Sequence, residues 1–508
     1  MAEAFSGSTV DAVVRRSGAR FGDRAALEFE GRVYGYRELD EAVSRAAAWL
    51  LRLGLRPGDR VAAYGTNSDA YVLGFLACAR AGLVHVPINY ALTGAELSYL
   101  IAQSGARAAL VDPALAGILA AVRGELAALE HVLPLRDAAG SLLELAGTGA
   151  VPELGSQAAP ADLAQLLYTS GTASKPKGAM MTHEALVYEY VSSVLALDFT
   201  AADDPLVAMP LYHSAGMHVF VLPYLSVGAT VRLLAAPDVA EILRRVEQDR
   251  IGSLFLAPTV WVPLSQHPDL DTRDLSSLRK AQYGASIMPV TVLRRLRERF
   301  PDLGFYNCFG QSEIGPLATV LRPEEHGQRP ASCGRPVYFV EARVVDADGD
   351  DVAPGEPGEI CYRSPQLCLG YWDDPAATAA AFRDGWFHSG DLVTRDAEGF
   401  VTVVDRIKDV INTGGILVAS REVEDALYTH PAVAEVAVIG VPDERWVEAI
   451  TAVVVLRAGH SAGADELIGH VRQRIAPFKV PKHIRFTGAL PRNQSGKLLK
   501  RELRDPAD

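Results

Sequence analysis

Cysteine is scarce: five residues in 508, Cys78, Cys308, Cys333, Cys361 and Cys368, in no CxxC or Cys/His zinc spacing. An odd number this small supports no closed disulfide framework, so reduced, buried, apolar thiols are expected. A basic excess is also missing, since 49 Lys and Arg face 62 Asp and Glu for a net charge of -13. Nucleic acid and anionic membrane surfaces, which need a basic face, are thereby excluded as partners. The chain has no uninterrupted apolar run of spanning length. Its most apolar tract, "AGMHVFVLPYLSVGATVRLLAA", is broken by His218, Pro223 and Gly228 and charged at Arg232, which predicts a buried helix and strand with no membrane span. The start, "MAEAFSGSTVDAVVRRSG", lacks the apolar core of an export signal, so a cytoplasmic location is expected. Internal repeats and low-complexity segments are absent too.

What is present reads as alternating helix and strand. "ELDEAVSRAAAWLLRLG" has helical amphipathicity, "DRVAAYG" is a buried strand and "AYVLGFLACARAG" a further helix, the alternation of a layered α/β fold. Near "PVYFVEARVVDADGDDVAPGEPGEICYRS" short strands separated by Gly, Pro and Asp predict a β-rich subdomain with hairpins. After "GFVTVVDRIKD" comes "SREVEDALYTH", a helix for which Ser420 is the expected cap. "VAEVAVIGV", "EAITAVVVLR", "ADELIGHVRQRI" and "HIRFTG" then read as strand, strand, helix, strand. The expectation is a large N-terminal α/β domain over 1–405, built of layered subdomains plus the β-rich one, and a small α+β C-terminal domain over 406–508.

The segment "YTSGTASKPKG", Tyr168 to Gly178, has what a phosphate-binding loop needs. Thr169, Ser170, Gly171 and Thr172 offer donors and room, and Lys175 and Lys177 offer charge. It is not a Walker A loop, because the final glycine is not followed by Lys and Ser or Thr. Alone, such a stretch is a surface turn.

Five further motifs follow in order: "PLYHSAG", "QYGASIMP", "FGQSE", "WFHSGDL" with "DRIKD", and "PRNQSGKLLK". With this set the chain resembles, over nearly its whole length, the superfamily of adenylate-forming enzymes: acyl- and aryl-CoA synthetases, peptide-synthetase adenylation domains and luciferases. The resemblance implies that Phe309 and Gly310 flank adenine, that Ser312 reaches phosphate where threonine is usual, and that Glu313 holds Mg²⁺. It implies that Gly284, Ala285 and Ser286 lie beside the purine and the acyl group, and that His213 orients the acid. Asp391 takes the ribose hydroxyls, Arg406 contacts ribose or phosphate, Lys408 is the hinge and Lys497 the catalytic lysine. Tyr212, Trp261 and Tyr283 would line a hydrophobic acid pocket.

The family chemistry makes an acyl-AMP from ATP with release of pyrophosphate, then lets a thiol displace AMP. Rotation of the small domain exchanges Lys497 for the glycine loop at Gly414 and Gly415. Coenzyme A is the expected thiol, because no carrier domain accompanies the chain. Ala-, Arg- and Gly-rich usage points to a high-GC bacterial genome. Two departures stand out: Ser174 where the family loop has glycine, and Ile416, Leu417 and Ala419 where a polar pair and an aromatic residue are common. Three readings follow, each with a hydrophobic acid or its adenylate as small-molecule partner and a homodimer as the default assembly. They are a complete acid–CoA ligase, an enzyme weak in adenylation that mainly converts a preformed acyl-adenylate, and a non-catalytic acyl-nucleotide sensor.

Overall fold

Two parallel-cored sheets carry the large domain. The computed structural model describes residues 6–169, 175–286, 288–413, 416–443, 445–492 and 498–504. A six-stranded sheet runs His131–Pro134, Ala108–Val111, Arg60–Tyr64, Val84–Ile88, Leu163–Thr169 and Lys177–Thr182. Its first five strands are parallel and the last returns antiparallel as the outer arm of a hairpin. A nine-stranded sheet has six parallel strands from Gly304–Phe309 to Ala25–Phe29, with antiparallel strands at both edges. Parallel strands need helical crossovers and so become covered on both faces, which is why "DRVAAYG" is almost wholly apolar.

Between the sheets lies the helix Asp69–Ala81, every residue of which is buried. A helix apolar all round belongs in a core, and its Gly74, Ala77 and Cys78 let neighbouring elements approach. Ser68 caps it by accepting from the Tyr71 amide. The amphipathic helix Tyr36–Arg52 covers it from outside through Leu39, Val43, Ala46, Ala47 and Leu50. Arg80 is fully buried, but its guanidinium is held by Asp11 at 2.6 Å, Ser44 at 2.6 Å and Asp40. A second polar chain crosses the same core: His85 Nδ1 to Gln165 Nε2 at 2.9 Å, Gln165 Oε1 to His218 Nε2 at 2.7 Å, His218 Nδ1 to Tyr190 at 3.1 Å. Burial drives both histidine pKa values down to about 3, so the chain is made of neutral groups.

The apolar tract after Ser214 is buried as expected, with one difference. Ala215–Val221 forms a wide π-helical turn before the helix Leu222–Val227, and Gly228 ends that helix in the left-handed conformation at φ 89. Pro223 sits in the first turn, where its missing N–H costs nothing. Among the described residues no helix is long and apolar enough to cross a membrane.

The β-rich region is a five-stranded antiparallel sheet built on Glu341–Val345, Pro357–Arg363, Phe382–Arg383, Trp386–Arg395 and Val401–Arg406. A final small sheet pairs Val433–Asp443 with Val447–Leu456, flanked by Ile411–Thr413 and His483–Phe486, and packs on helices Ser420–Tyr428 and Ala464–Arg472. The expected cap at Ser420 is corrected here. Ser420 is already inside the helix, and its amide and hydroxyl both donate to Asp405 Oδ2, at 2.6 and 2.7 Å. The carboxylate fifteen residues upstream does the capping, and so ties the small sheet's first helix to the last strand of the β-rich sheet.

Candidate active site

The hairpin arms Leu163–Thr169 and Lys177–Thr182 hold the two described ends of the phosphate-loop motif, with Thr169 paired to Lys177. Ser170, Gly171, Thr172 and Ser174 lie outside the described residues, as do Gly414, Gly415 and Lys497. Lys175 sits 5.0 Å over the Tyr99 ring. Along the hairpin's outer arm runs the segment 370–372: Met180 donates to the Gly370 carbonyl at 2.9 Å, and Trp372 to the Gly178 carbonyl at 2.7 Å. That apposition delivers Tyr371. Its ring lies 5.0 Å beneath the Lys177 ammonium and its hydroxyl donates to Glu313 Oε1 at 2.9 Å. Burial and the neighbouring Glu313 carboxylate raise the Tyr371 pKa, so the phenol stays a donor.

Glu313 is 8% exposed, on a short 3₁₀ turn after the strand that ends at Phe309. The turn is gripped from inside. Glu189 Oε1 accepts from the Leu317 amide at 3.2 Å, and Gln366 Nε2, which also donates to Glu189, reaches the carbonyls of Ile314 and Leu317, both at 3.2 Å. Complete burial pushes the Glu189 carboxyl pKa well up. Ser312 Oγ meets Ser214 Oγ at 3.2 Å, so the segment with Gln311, Ser312 and Glu313 abuts the one with Tyr212, His213 and Ser214. His213 Nδ1 accepts from the Ala215 amide at 3.4 Å, which orients the ring. Tyr212 stands edge-on to Tyr90 at 5.5 Å, and its buried hydroxyl has no hydrogen-bond partner among the described residues.

The glycines have a use the sequence did not disclose. A Cβ at Gly284 would lie 2.3 Å from the Cys308 carbonyl oxygen, and one at Gly310 would lie 2.1 Å from that of Pro316. Their smallness is taken up by the protein's own backbone. Ala285 holds a left-handed φ of 64, an uncommon state for a residue with a side chain, and places Ser286 at the mouth of the turn. Trp261 and Tyr283, expected as pocket lining, sit in the packed core behind that turn, 2% and 1% exposed. Trp261 donates to the Gln282 carbonyl at 3.1 Å, and the Tyr283 hydroxyl meets His326 at 3.0 Å. Strand alternation explains Tyr283: along Lys280–Gly284, Ala281 and Tyr283 face the helices, whereas Gln282 faces the other core.

Asp391 and Arg406 are direct cross-strand partners, with Arg406 Nε 2.5 Å from Asp391 Oδ1, and Gln311 donates to the other carboxylate oxygen. Three motifs far apart in sequence thus meet at one carboxylate. Just beyond, Lys408 occupies the 3₁₀ turn Ile407–Asp409 between the two sheets, its pKa lowered by burial and by Arg406. The segment after the undescribed 493–497 returns to the same turn. Arg504 pairs with Asp409 at 2.8 Å, and Lys500 with Glu424 at 2.8 Å while it donates to Ser420. Tyr371, Asp405, Lys500 and Arg504 were missed from sequence, since no local pattern marks an aromatic or a charge whose partner lies fifteen or more residues away.

The donor set suits a magnesium nucleotide. Glu313 offers hard carboxylate oxygen, Lys177 offers positive charge one aromatic ring away, and Asp391 offers a buried acceptor.

A fold of two parallel-cored sheets, a β-rich sheet and a small domain meeting at a lysine turn is that of an adenylate-forming enzyme. Comparison with known proteins agrees: the AMP-binding enzyme family matches residues 14–372, and the AMP-binding enzyme C-terminal domain matches residues 422–497. The chain belongs to this family. It is 41% identical over 480 residues to a feruloyl-CoA synthase of Amycolatopsis sp, covering 94% of this chain and 95% of the relative. It is 35% identical to an indoleacetate–CoA ligase of Aromatoleum aromaticum, covering 95% and 94%. The crystal structure of ATP-bound MatB from Rhodopseudomonas palustris superposes with a TM-score of 0.90 at 31% identity, covering 98% of each chain.

Proposed function

We propose that this AMP-binding enzyme is an acid–CoA ligase, using ATP, Mg²⁺ and coenzyme A, and that its acid is aromatic. The observation that carries the reading is the Lys177–Tyr371–Glu313 relay lying against the Ser312–Ser214 contact, which sets phosphate-handling groups beside the acid-handling segment. The Tyr212 hydroxyl, without a hydrogen-bond partner among the described residues and on a ring edge-on to Tyr90, favours a flat acid with a polar ring substituent, and relatives named for feruloyl and indoleacetate substrates point the same way. Nothing supports the adenylation-defective reading.

In the first step the acid's carboxylate oxygen attacks the α-phosphorus of ATP and the bond to pyrophosphate breaks. Glu313 would hold Mg²⁺, which supplies charge neutralisation on the phosphates. Lys177 and Lys497 offset the remaining charge, Asp391 and Arg406 fix the ribose end, and His213 orients the carboxylate. In the second step the coenzyme A thiol gives up its proton to solvent, its sulfur attacks the acyl carbon, and the acyl–oxygen bond breaks as AMP leaves. Lys408 is the turn about which residues 406–508 exchange Lys497 for the Gly414–Gly415 loop.

The test follows pyrophosphate release from ATP with hydroxylated aromatic acids and alkyl acids of matched length, and AMP release from the synthetic adenylates with coenzyme A. Turnover in both arms with aromatic acids preferred is expected, and Glu313→Gln should slow the first arm about 10²-fold or more. Thioester formation from alkyl acids only would overturn the aromatic assignment. Turnover in the second arm alone would restore the adenylation-defective reading.

A further inference from the structure

The five cysteines were expected to be inert apolar packing, and all are buried and free. Cys361 departs from that description. It lies opposite His388 in the β-rich sheet, two residues from Glu359 on the same face, and the three side chains converge. His388 Nδ1 is 2.8 Å from Glu359 Oε2 and 3.3 Å from Cys361 Sγ, and one donor atom from each residue lies within 4.8 Å of the others. We propose that Glu359, Cys361 and His388 form a binding site for one soft divalent cation, Zn²⁺ by donor type, which takes the place now held by the Arg383 guanidinium.

The argument starts from an excess of claims on one nitrogen. Arg383 Nη2 also approaches His388 Nδ1, at 2.7 Å, and lies 3.6 Å from Glu359 Oε2. A neutral imidazole carries at Nδ1 either a proton or a lone pair. With the proton it serves Glu359 and opposes the guanidinium; with the lone pair it serves Arg383 and opposes the carboxylate. No tautomer satisfies both, whereas a cation between carboxylate, thiolate and ring lone pair satisfies all three. Arg383 is the outermost of the group and can swing into solvent: its side chain is 54% exposed, against 15% for Glu359 and 14% for His388.

The rest of the surroundings fits. Glu359 Oε1 accepts from the Gly390 amide at 2.8 Å, which fixes the carboxylate with Oε2 aimed at His388, the outer support a ligand needs. Arg343, the cross-strand neighbour of Cys361, is occupied by Asp351 at 2.9 Å. In a tetrahedral Zn²⁺ site sulfur, nitrogen and oxygen donors sit roughly 3.3–3.7 Å apart, so the Glu359–His388 contact at 2.8 Å must open by about half an ångström, while the Cys361–His388 contact at 3.3 Å is already near that range. The fourth corner falls on the exposed Arg383 side. A thiol ligand selects Zn²⁺ or Co²⁺ over Mg²⁺, which separates this site from Glu313. Binding releases the Cys361 thiol proton to solvent, so occupancy rises with pH.

Co²⁺ is the probe, titrated into the chelator-stripped full-length protein. One equivalent should bind with a thiolate-to-cobalt charge-transfer band and the visible bands of four-coordinate cobalt, both erased by added Zn²⁺. Cys361→Ser should abolish the charge-transfer band, and His388→Asn should weaken binding at least about 10-fold. Arg383→Ala, a surface change that leaves the three ligands in place, should tighten binding about threefold or more, with the gain shrinking in salt. A charge-transfer band that survives in Cys361→Ser would assign the thiolate to another cysteine and overturn the proposal. So would the absence of a band in both the parent and Arg383→Ala.

Discussion

The large domain and its junction with the small one use polar groups in different ways. Inside the large domain, His85, Gln165, His218 and Tyr190, all buried, form a chain of neutral donors and acceptors. At the junction, Asp405, Lys408, Asp409, Lys500 and Arg504 are charged, and Arg504 and Asp409 keep 32% and 15% of their side-chain surface. Neutral hydrogen bonds in a dry core are costly to break, because each orphaned group loses its partner and finds no water. Partly wet ion pairs are cheap to exchange. The first arrangement suits a body that holds the site's geometry, and the second is what the proposed rotation about Lys408 would need.

Breaking the core chain should have the largest effect. Gln165→Leu strands both His85 Nδ1 and His218 Nε2, and should cost about 2–4 kcal/mol of stability in denaturant unfolding. A loss under 1 kcal/mol would mean the chain is not a stability element.

The contrast sharpens with pH. The core histidines have folded pKa values of about 3, below the ordinary value of 6.5. The unfolded state therefore binds more protons between those limits, and stability rises with pH across them. Their contribution is complete above pH 6.5 and is lost as pH falls toward 3, at about 1.4 kcal/mol per pH unit for each histidine. Urea titrations of the parent and His85→Gln, the variant with the shallower slope, would check the sign and size.

The smallest effect on stability is expected at the junction. Arg504→Ala should cost less than about 1 kcal/mol, since the pair with Asp409 is partly solvated. Its signature should be kinetic: a changed ratio of adenylation to thioester formation, read in the two half-reactions. An unchanged ratio would remove Arg504 from the joint.

Elements set by local periodicity were legible. The helix Tyr36–Arg52, the strand Arg60–Tyr64 and the strands of the small sheet lie where their patterns put them, because a face of a helix or strand is written in adjacent residues. Asp391 and Arg406 are now cross-strand partners, which their motifs implied only through the family resemblance. What was illegible lies between distant segments. Tyr371 reaches Glu313 across 58 positions, and Asp405 supersedes Ser420 as the cap because a carboxylate from the preceding sheet arrives first. Tyr283 turned to the core face because strand alternation, not aromatic character, decides direction, and Trp261 because its helix Pro258–Leu264 packs that face on the same core.

The wide turn Ala215–Val221 has a consequence for how this lineage can vary. Its first residue follows Ser214, whose hydroxyl touches Ser312, and its fourth is His218, which anchors the buried chain. A π-helical turn amounts to one extra residue accommodated within a helix. Removing that residue would return the turn to regular α-helix and leave the helix on either side of it in register. A single deletion can therefore be absorbed at this turn, whereas in the regular helix that follows it would turn every later residue by about 100° about the axis.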